Sequence, residues 1–390
     1  MTRWTQTTPS VDGIHARRHV IGRPSHRVLD GSVALYSDAV SPAALGMTAL
    51  AAQVSGDMAE GEGVAWWDLD PARSILIGDY VVGLTESVQA NLVEASMHAT
   101  KARELWGLDS IATLRSMRTA SLTGSGMIGK ATETVANRRV EVDGHVAGFF
   151  RAAGSVMDNV GAIVVGVVGL RTSLVQAKWS DLKLDHPSAV GMAPSGPGHD
   201  LQVQAIDAIR SAVASGPAGW SEWTVDLRNT LVHRASRMTL FLADSRQPDG
   251  FLRPLPRHPA QTQTESMSQT ARFGRDLVPE HAAETMAAIL IALVALVSGT
   301  SVACVDAWDA RRSNTDLVRQ PQKQWPILKQ GRTSTFRGAH PGTLPKFTNG
   351  SLIMHPTMMD RMMASHLLDR DRRLWIGWFA SDEATRDRRR

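Results

Sequence analysis

Residues 220–234 read Trp-Ser-Glu-Trp-Thr-Val-Asp-Leu-Arg-Asn-Thr-Leu-Val-His-Arg, and their spacing is that of an amphipathic helix. At about 100° per residue, Glu222, Asp226, Asn229, His233 and Arg237 share one stripe, while Trp220, Trp223, Leu227, Leu231 and Met238 share another. One stripe is suited to burial and the other to water or a polar cleft. Arg228 precedes His233 by five positions, so it emerges about 140° around and about 7.5 Å along the axis, a gap its long side chain partly crosses.

Helical spacing extends on both sides of this stretch. Over residues 86–117, Val88, Leu92, Ala95, Ala99, Ala102 and Leu105 recur at intervals of three and four, the mark of a helix buried along one stripe. Residues 146–178 form a second long apolar segment, read as a helix in which Gly161, Gly166 and Gly169 either allow close packing or break it. Residues 187–198 carry three prolines and three glycines and cannot continue a helix. Helices are predicted over 200–215 and 220–241, the second after the turn Gly216-Pro217-Ala218-Gly219. Residues 244–259 read as a loop and 264–305 as a helix broken at Pro279.

The ends differ from this middle. Residues 1–85 are interrupted by glycine and polar residues, with β-like runs at 26–36 and 73–82 and an Ala-rich helical patch at 42–54. Beyond 305, frequent Pro, Gly and Arg predict irregular structure until a short helix over 358–379. The expected chain is therefore mainly α: a small mixed N-terminal region over 1–85, a helical bundle over 86–305 and an irregular basic C-terminal extension over 306–390.

With 390 residues and 43% hydrophobic content, the chain can build a sizeable core and is not expected to be disordered. Its one cysteine, Cys304, excludes an intramolecular disulfide framework and a cysteine-rich zinc site, which fits a reducing cytoplasm. None of the thirteen histidines forms a His-Glu-x-x-His motif, so no metal and no cofactor is expected. The first nineteen residues lack the apolar core of a signal peptide. Residues 286–305 are uncharged over about the 20 positions a spanning helix needs, but Ser298, Gly299, Thr300 and Ser301 interrupt the run and no aromatic belt flanks it. They read as a buried bundle helix, and the protein as cytoplasmic without a membrane partner. From residue 310 onward sixteen Lys and Arg face seven Asp and Glu, so this end carries +9 and the remainder −5. A polyanion is the partner that such an asymmetry suits, and a solvated tail is the plainer alternative.

The 220–234 stretch has the chemistry to cut RNA through the substrate's own 2′-hydroxyl. An imidazole with an ordinary pKa near 6.5 moves a proton at neutral pH, and a guanidinium holds a phosphate through two parallel hydrogen bonds. Asn229, one turn before His233, is placed to bond its ring or backbone. An Arg, then Asn, then His after a short gap, on an amphipathic helix with upstream Trp, resembles the Arg-x4–6-His motif of HEPN proteins. That resemblance covers roughly residues 86–305 and implies a dimerising bundle of four or five helices. In the ribonuclease members, Arg and His from two subunits meet in a shared cleft and cleave RNA without metal, often as toxins or antiviral effectors. Carried over, it nominates Arg228 as phosphate binder, His233 as general acid or base and Asn229 as support. Asp158 and Asn159, on a preceding helix, resemble polar positions that face the site in some members. Arg234 and Arg237 are candidate further contacts to RNA. The implied partners are RNA, a second copy of the chain and an antitoxin or defence-system protein. Ala235 stands where members modified by a nucleotidyltransferase partner carry tyrosine, which argues against that kind of toxin pair.

Three alternatives compete with this reading. Gly124-Ser-Gly-Met-Ile-Gly-Lys130 has the glycine and lysine spacing of a P-loop, but Ala131 replaces the magnesium-binding Ser or Thr. The polar residues 116–123 before it do not read as a buried strand, so a linker is the plainer reading. The helix could also be an ordinary surface stripe, or the bundle a non-catalytic dimerisation or RNA-binding module.

Overall fold

Pro71 opens a helix because its fixed φ suits the first turn and its missing N–H is not needed there. That helix then runs through residue 123, and the reason lies in its buried positions: Val81, Leu84, Val88, Leu92 and Ala95 repeat at three and four. The run over 73–82, read from sequence as β-like, is therefore helical. Its clustered Ile and Val raise strand propensity, but a continuous apolar run does not distinguish a strand from a buried helix. The described residues of this computed structural model are 38–60, 71–123, 133–170, 172–184, 192–193, 195–233, 242–243, 251–259, 277–314 and 317.

Among them are six α-helices: α1 (Ser41–Glu60), α2 (Pro71–Thr123), α3 (Glu133–Val164), α4 (Pro197–Ala214), α5 (Trp220–His233) and α6 (Ala282–Ser313). The protein is mainly helical. Among the described residues strand is confined to a two-residue antiparallel pair, β1 (Leu242–Ala243) with β2 (Phe251–Leu252). β1 falls just beyond the helix expected over 220–241, and β2 lies within the stretch 244–259 expected to be a plain loop. The described part of residues 1–85 holds helix and no strand, and the expected boundaries at 85 and 305 both fall inside continuous helices, α2 and α6. The expected β-like run at 26–36, the P-loop-like string at 124–130 and the helix at 358–379 lie outside the described residues.

α2 and α3 pack along each other, α6 lies between α1 and α4 while also touching α2 and α3, and α5 sits on α3. One continuous core joins them, with Met47 and Leu50 from α1, Leu92 from α2, Phe149 and Phe150 from α3, and Leu293 from α6 all fully buried. α3 does not continue to residue 178 as the sequence suggested. It passes through a π-turn at Val165–Gly169 into short 3-10 turns at Leu174–Gln176 and Trp179–Leu182, which fold back against it. Gly161 makes that return possible, because a β-carbon there would lie 2.8 Å from the Lys178 and Trp179 backbone.

α6 starts at a capping box rather than at Pro279: His281 Nδ1 accepts from the Ala283 N–H at 3.0 Å, and Glu284 Oε2 accepts from the His281 N–H at 3.3 Å. Near its other end, Arg311 donates to the Val167 and Val168 carbonyls that terminate α3. Burial depresses this guanidinium to about 9 and pushes the neighbouring Cys304 thiol up to about 12. Cys304 is thus a packed thiol, poorly suited to nucleophilic attack.

Candidate active site

α5 is oriented by its apolar stripe. Trp220 and Leu227 are buried, and Trp223 meets Phe150 of α3 edge to face at 5.6 Å. On the opposite side Glu222, Asp226 and Asn229 are exposed, as their spacing led one to expect. Two further bonds fasten α5 to the segment after β2: Trp223 Nε1 donates to the Pro256 carbonyl at 3.0 Å and Thr230 Oγ1 to the Pro259 carbonyl at 2.6 Å.

Arg228 sits at the edge of the buried face and reaches back over α3. Its aliphatic stem crosses Gly154, where a β-carbon would overlap the Arg228 Cδ. One turn further along α3, Asp158 Oδ2 accepts from Arg228 Nη1 at 2.5 Å. The other oxygen of Asp158 accepts from the Trp179 N–H at 3.2 Å, so a 3-10 turn fixes the carboxylate that fixes the arginine. Asn229 Oδ1 accepts from both Nε and Nη2 of Arg228 at 3.3 Å. The pair keeps contact with water, with side-chain exposures of 22% for Arg228 and 31% for Asp158. Such a group can hold an anion at its open edge, but Asp158 already offsets much of its charge.

The structure therefore joins Arg228, Asn229 and Asp158, three residues chosen from sequence, and the glycine at 154 that lets them meet. Asn229 bonds Arg228; the bond to His233 that its spacing suggested involves a side chain outside the described residues. Asn159 is half-buried on α3. His233 is the last residue of α5, and its side chain, like Arg234 and Arg237, lies outside the described residues. No group of three or more His, Cys, Asp or Glu side chains placed to hold a metal occurs among the described residues.

Sequence reading missed a cavity of about 590 Å³ at the start of α5. Trp220 and Trp223 line one side, the start of α6 with Glu284 and Ala288 another, and Arg257 and Glu280 also face it. The signal was the Pro- and Arg-rich stretch before residue 259, which reads as a loop until its carbonyls are seen to accept from α5. Compared with protein-family models, curated proteins and solved structures, the chain matches none of them.

Proposed function

We propose that this chain is a metal-independent endoribonuclease of HEPN type, acting in the cytoplasm as a homodimer, with Arg228 as phosphate clamp and His233 as the proton-transfer group. The observation that supports it is the meeting of Arg228 with Asp158 and Asn229 at a water-accessible edge, because the candidate phosphate binder and the polar position that the family resemblance nominated on a separate helix converge there. In this mechanism the 2′-oxygen attacks phosphorus as it loses its proton to a general base, and the 5′-oxygen leaves with a proton from a general acid. The products are a 2′,3′-cyclic phosphate and a 5′-hydroxyl end. Asp158 and Asn229 hold the guanidinium in one orientation, which reduces the entropy lost when a phosphate docks. A role as toxin or antiviral effector, with an antitoxin or defence partner, belongs to the same proposal, as does RNA binding by the basic C-terminal extension.

The ion pair also favours a second reading. A guanidinium neutralised by Asp158 is what a purely structural clasp between α3 and α5 would contain, and the bundle would then be a non-catalytic RNA-binding or dimerisation module. The two part on one experiment with purified protein and defined RNAs. For the enzyme, His233→Ala lowers cleavage roughly a hundredfold or more with little change in binding. Arg228→Ala impairs both, EDTA has no effect, and a 2′-deoxy substitution at the cut site blocks the reaction. Absence of His233-dependent cleavage from a folded dimer selects the module, and dependence on magnesium overturns the mechanism.

A further inference from the structure

We infer that the cavity between the starts of α5 and α6 is a nucleotide subsite, taking a flat base against Trp223 and its phosphate at Arg257. The choice of ligand rests on the RNA reading of the Arg228 helix; the case for a binding site rests on the cavity itself. At about 590 Å³ it falls within the size range of small-molecule sites, with room for a nucleotide.

Its walls select for a flat apolar body. Trp220 Nε1 is spent on the Val213 carbonyl and Trp223 Nε1 on the Pro256 carbonyl, both at 3.0 Å, so the half-buried Trp223 offers only carbon surface and its π system while the buried Trp220 backs the wall. Val278, Pro279 and Ile289 add further apolar wall. The site is preformed, since Trp223 is held from behind by Phe150 and from the side by Pro256.

The polar groups supply the rest of the match. Arg257 and Glu280 are exposed and have no hydrogen-bond or ion-pair partner among the described residues, while the Glu284 carboxylate is committed to the cap of α6. One available cation and one available carboxylate beside an apolar slot suit a ligand with an anionic end, a flat centre and N–H donors. A nucleotide has all three: phosphate for the guanidinium, ring for the Trp223 indole, and exocyclic amine or ring N–H for the carboxylate. An acyl chain would leave both charges unused. Trp223 lies five residues before Arg228, about 7.5 Å along the helix axis and about 140° around it, so a strand that serves both positions wraps partly around α5. Aromatic stacking of unpaired bases is also how single-stranded RNA is generally held.

The test uses the full chain. Equilibrium dialysis with AMP, GMP, CMP and UMP, and anisotropy of a labelled single-stranded RNA, are measured for the unmodified protein, Ala288→Trp, Arg257→Ala and Arg228→Ala. Ala288→Trp fills the cavity, Arg257→Ala is an exposed change that leaves packing alone, and circular dichroism confirms that each is folded. Both cavity variants should weaken nucleotide or RNA binding at least about tenfold. A loss seen with RNA alone assigns the site to the strand, and a loss with mononucleotides assigns it to free nucleotides as well. Mononucleotide binding that is lost in Ala288→Trp, in a protein without His233-dependent cleavage, keeps the subsite and removes the ribonuclease reading. Undiminished RNA and mononucleotide binding in both cavity variants, or no binding of either ligand by the unmodified protein, overturns the inference.

Discussion

Helices α3 and α6 are each long and apolar enough, by length and composition, to cross a membrane, yet their surroundings differ. In the most apolar stretch of the segment Glu133–Gly169, 83% of the residues are buried, against 50% in that of Ala282–Ser313. The more covered helix is the one with neighbours all round: α2 along one side, α5 on another, and the 3-10 turns folded back on a third. α6 is clasped by α1 and α4 but turns Ile291 and Val302 outward, at 71% and 61% exposure. Apolar composition alone thus does not measure how deeply a helix is buried. What decides it is how many partners the chain brings to its faces.

The strongest way to break this comparison is to add volume to the covered helix. Gly161→Val on α3 drives a side chain into the Lys178 and Trp179 backbone, which cannot rotate aside as a flexible side chain would. The expected cost is about 3 kcal/mol, the upper end for overpacking, read as a fall in the denaturation midpoint. A loss under about 1 kcal/mol would mean that the returning turns are loosely held and that α3 is less enclosed than its burial indicates.

The outcome bears on how much was legible in the chain. The middle helices were readable because their apolar residues keep a regular three-and-four spacing, as at Val88, Leu92 and Ala95. The 73–82 segment was not, because Val81 is buried and Ile77 and Val82 pack against tertiary neighbours whose presence local propensity does not report. Within the candidate site, Arg228 and Asn229 were found from residue type and spacing, and Asp158 only through the family resemblance. Their bonding was not, since Asp158 lies seventy positions away and only the Gly154 contact brings the arginine to it. The cavity was invisible for a similar reason: its walls come from three separate stretches of chain.

A smaller effect sharpens the comparison at the α2–α3 interface. His98 and His145 face each other there with their Nδ1 atoms 2.8 Å apart, Glu94 is 3.5 Å from His98 Nε2, and Arg151 pairs with Glu94. Burial, then the neighbouring His145, depress the His98 pKa below its ordinary value of 6.5, with Glu94 opposing and Arg151 adding to the depression. The unfolded chain therefore binds a proton here before the folded one does. The contribution of this site to stability is complete above 6.5 and is lost as pH falls below that value toward the depressed pKa. Denaturation at pH 7.5 and pH 5 should show a larger acid loss in the unmodified protein than in His98→Asn. Equal losses would remove His98 as the cause.

The smallest expected effect falls on the uncovered helix. Ile291 is 71% exposed on α6, so Ile291→Lys removes little buried surface and gives its ammonium free access to water. Stability should change by no more than about 0.5 kcal/mol, the usual range for exposed sites. The unmodified chain should fractionate with soluble protein in the absence of detergent, because α6 buries its Met286, Leu293 and Trp308 face inside the bundle. Lipid or a partner on the outward stripe would give a different result, since a lysine there would be costly to desolvate. A stability loss above about 1 kcal/mol, a fall in oligomeric state, or recovery of the unmodified protein only with detergent would show that the stripe is covered after all, and α6 would then join α3 as an enclosed helix.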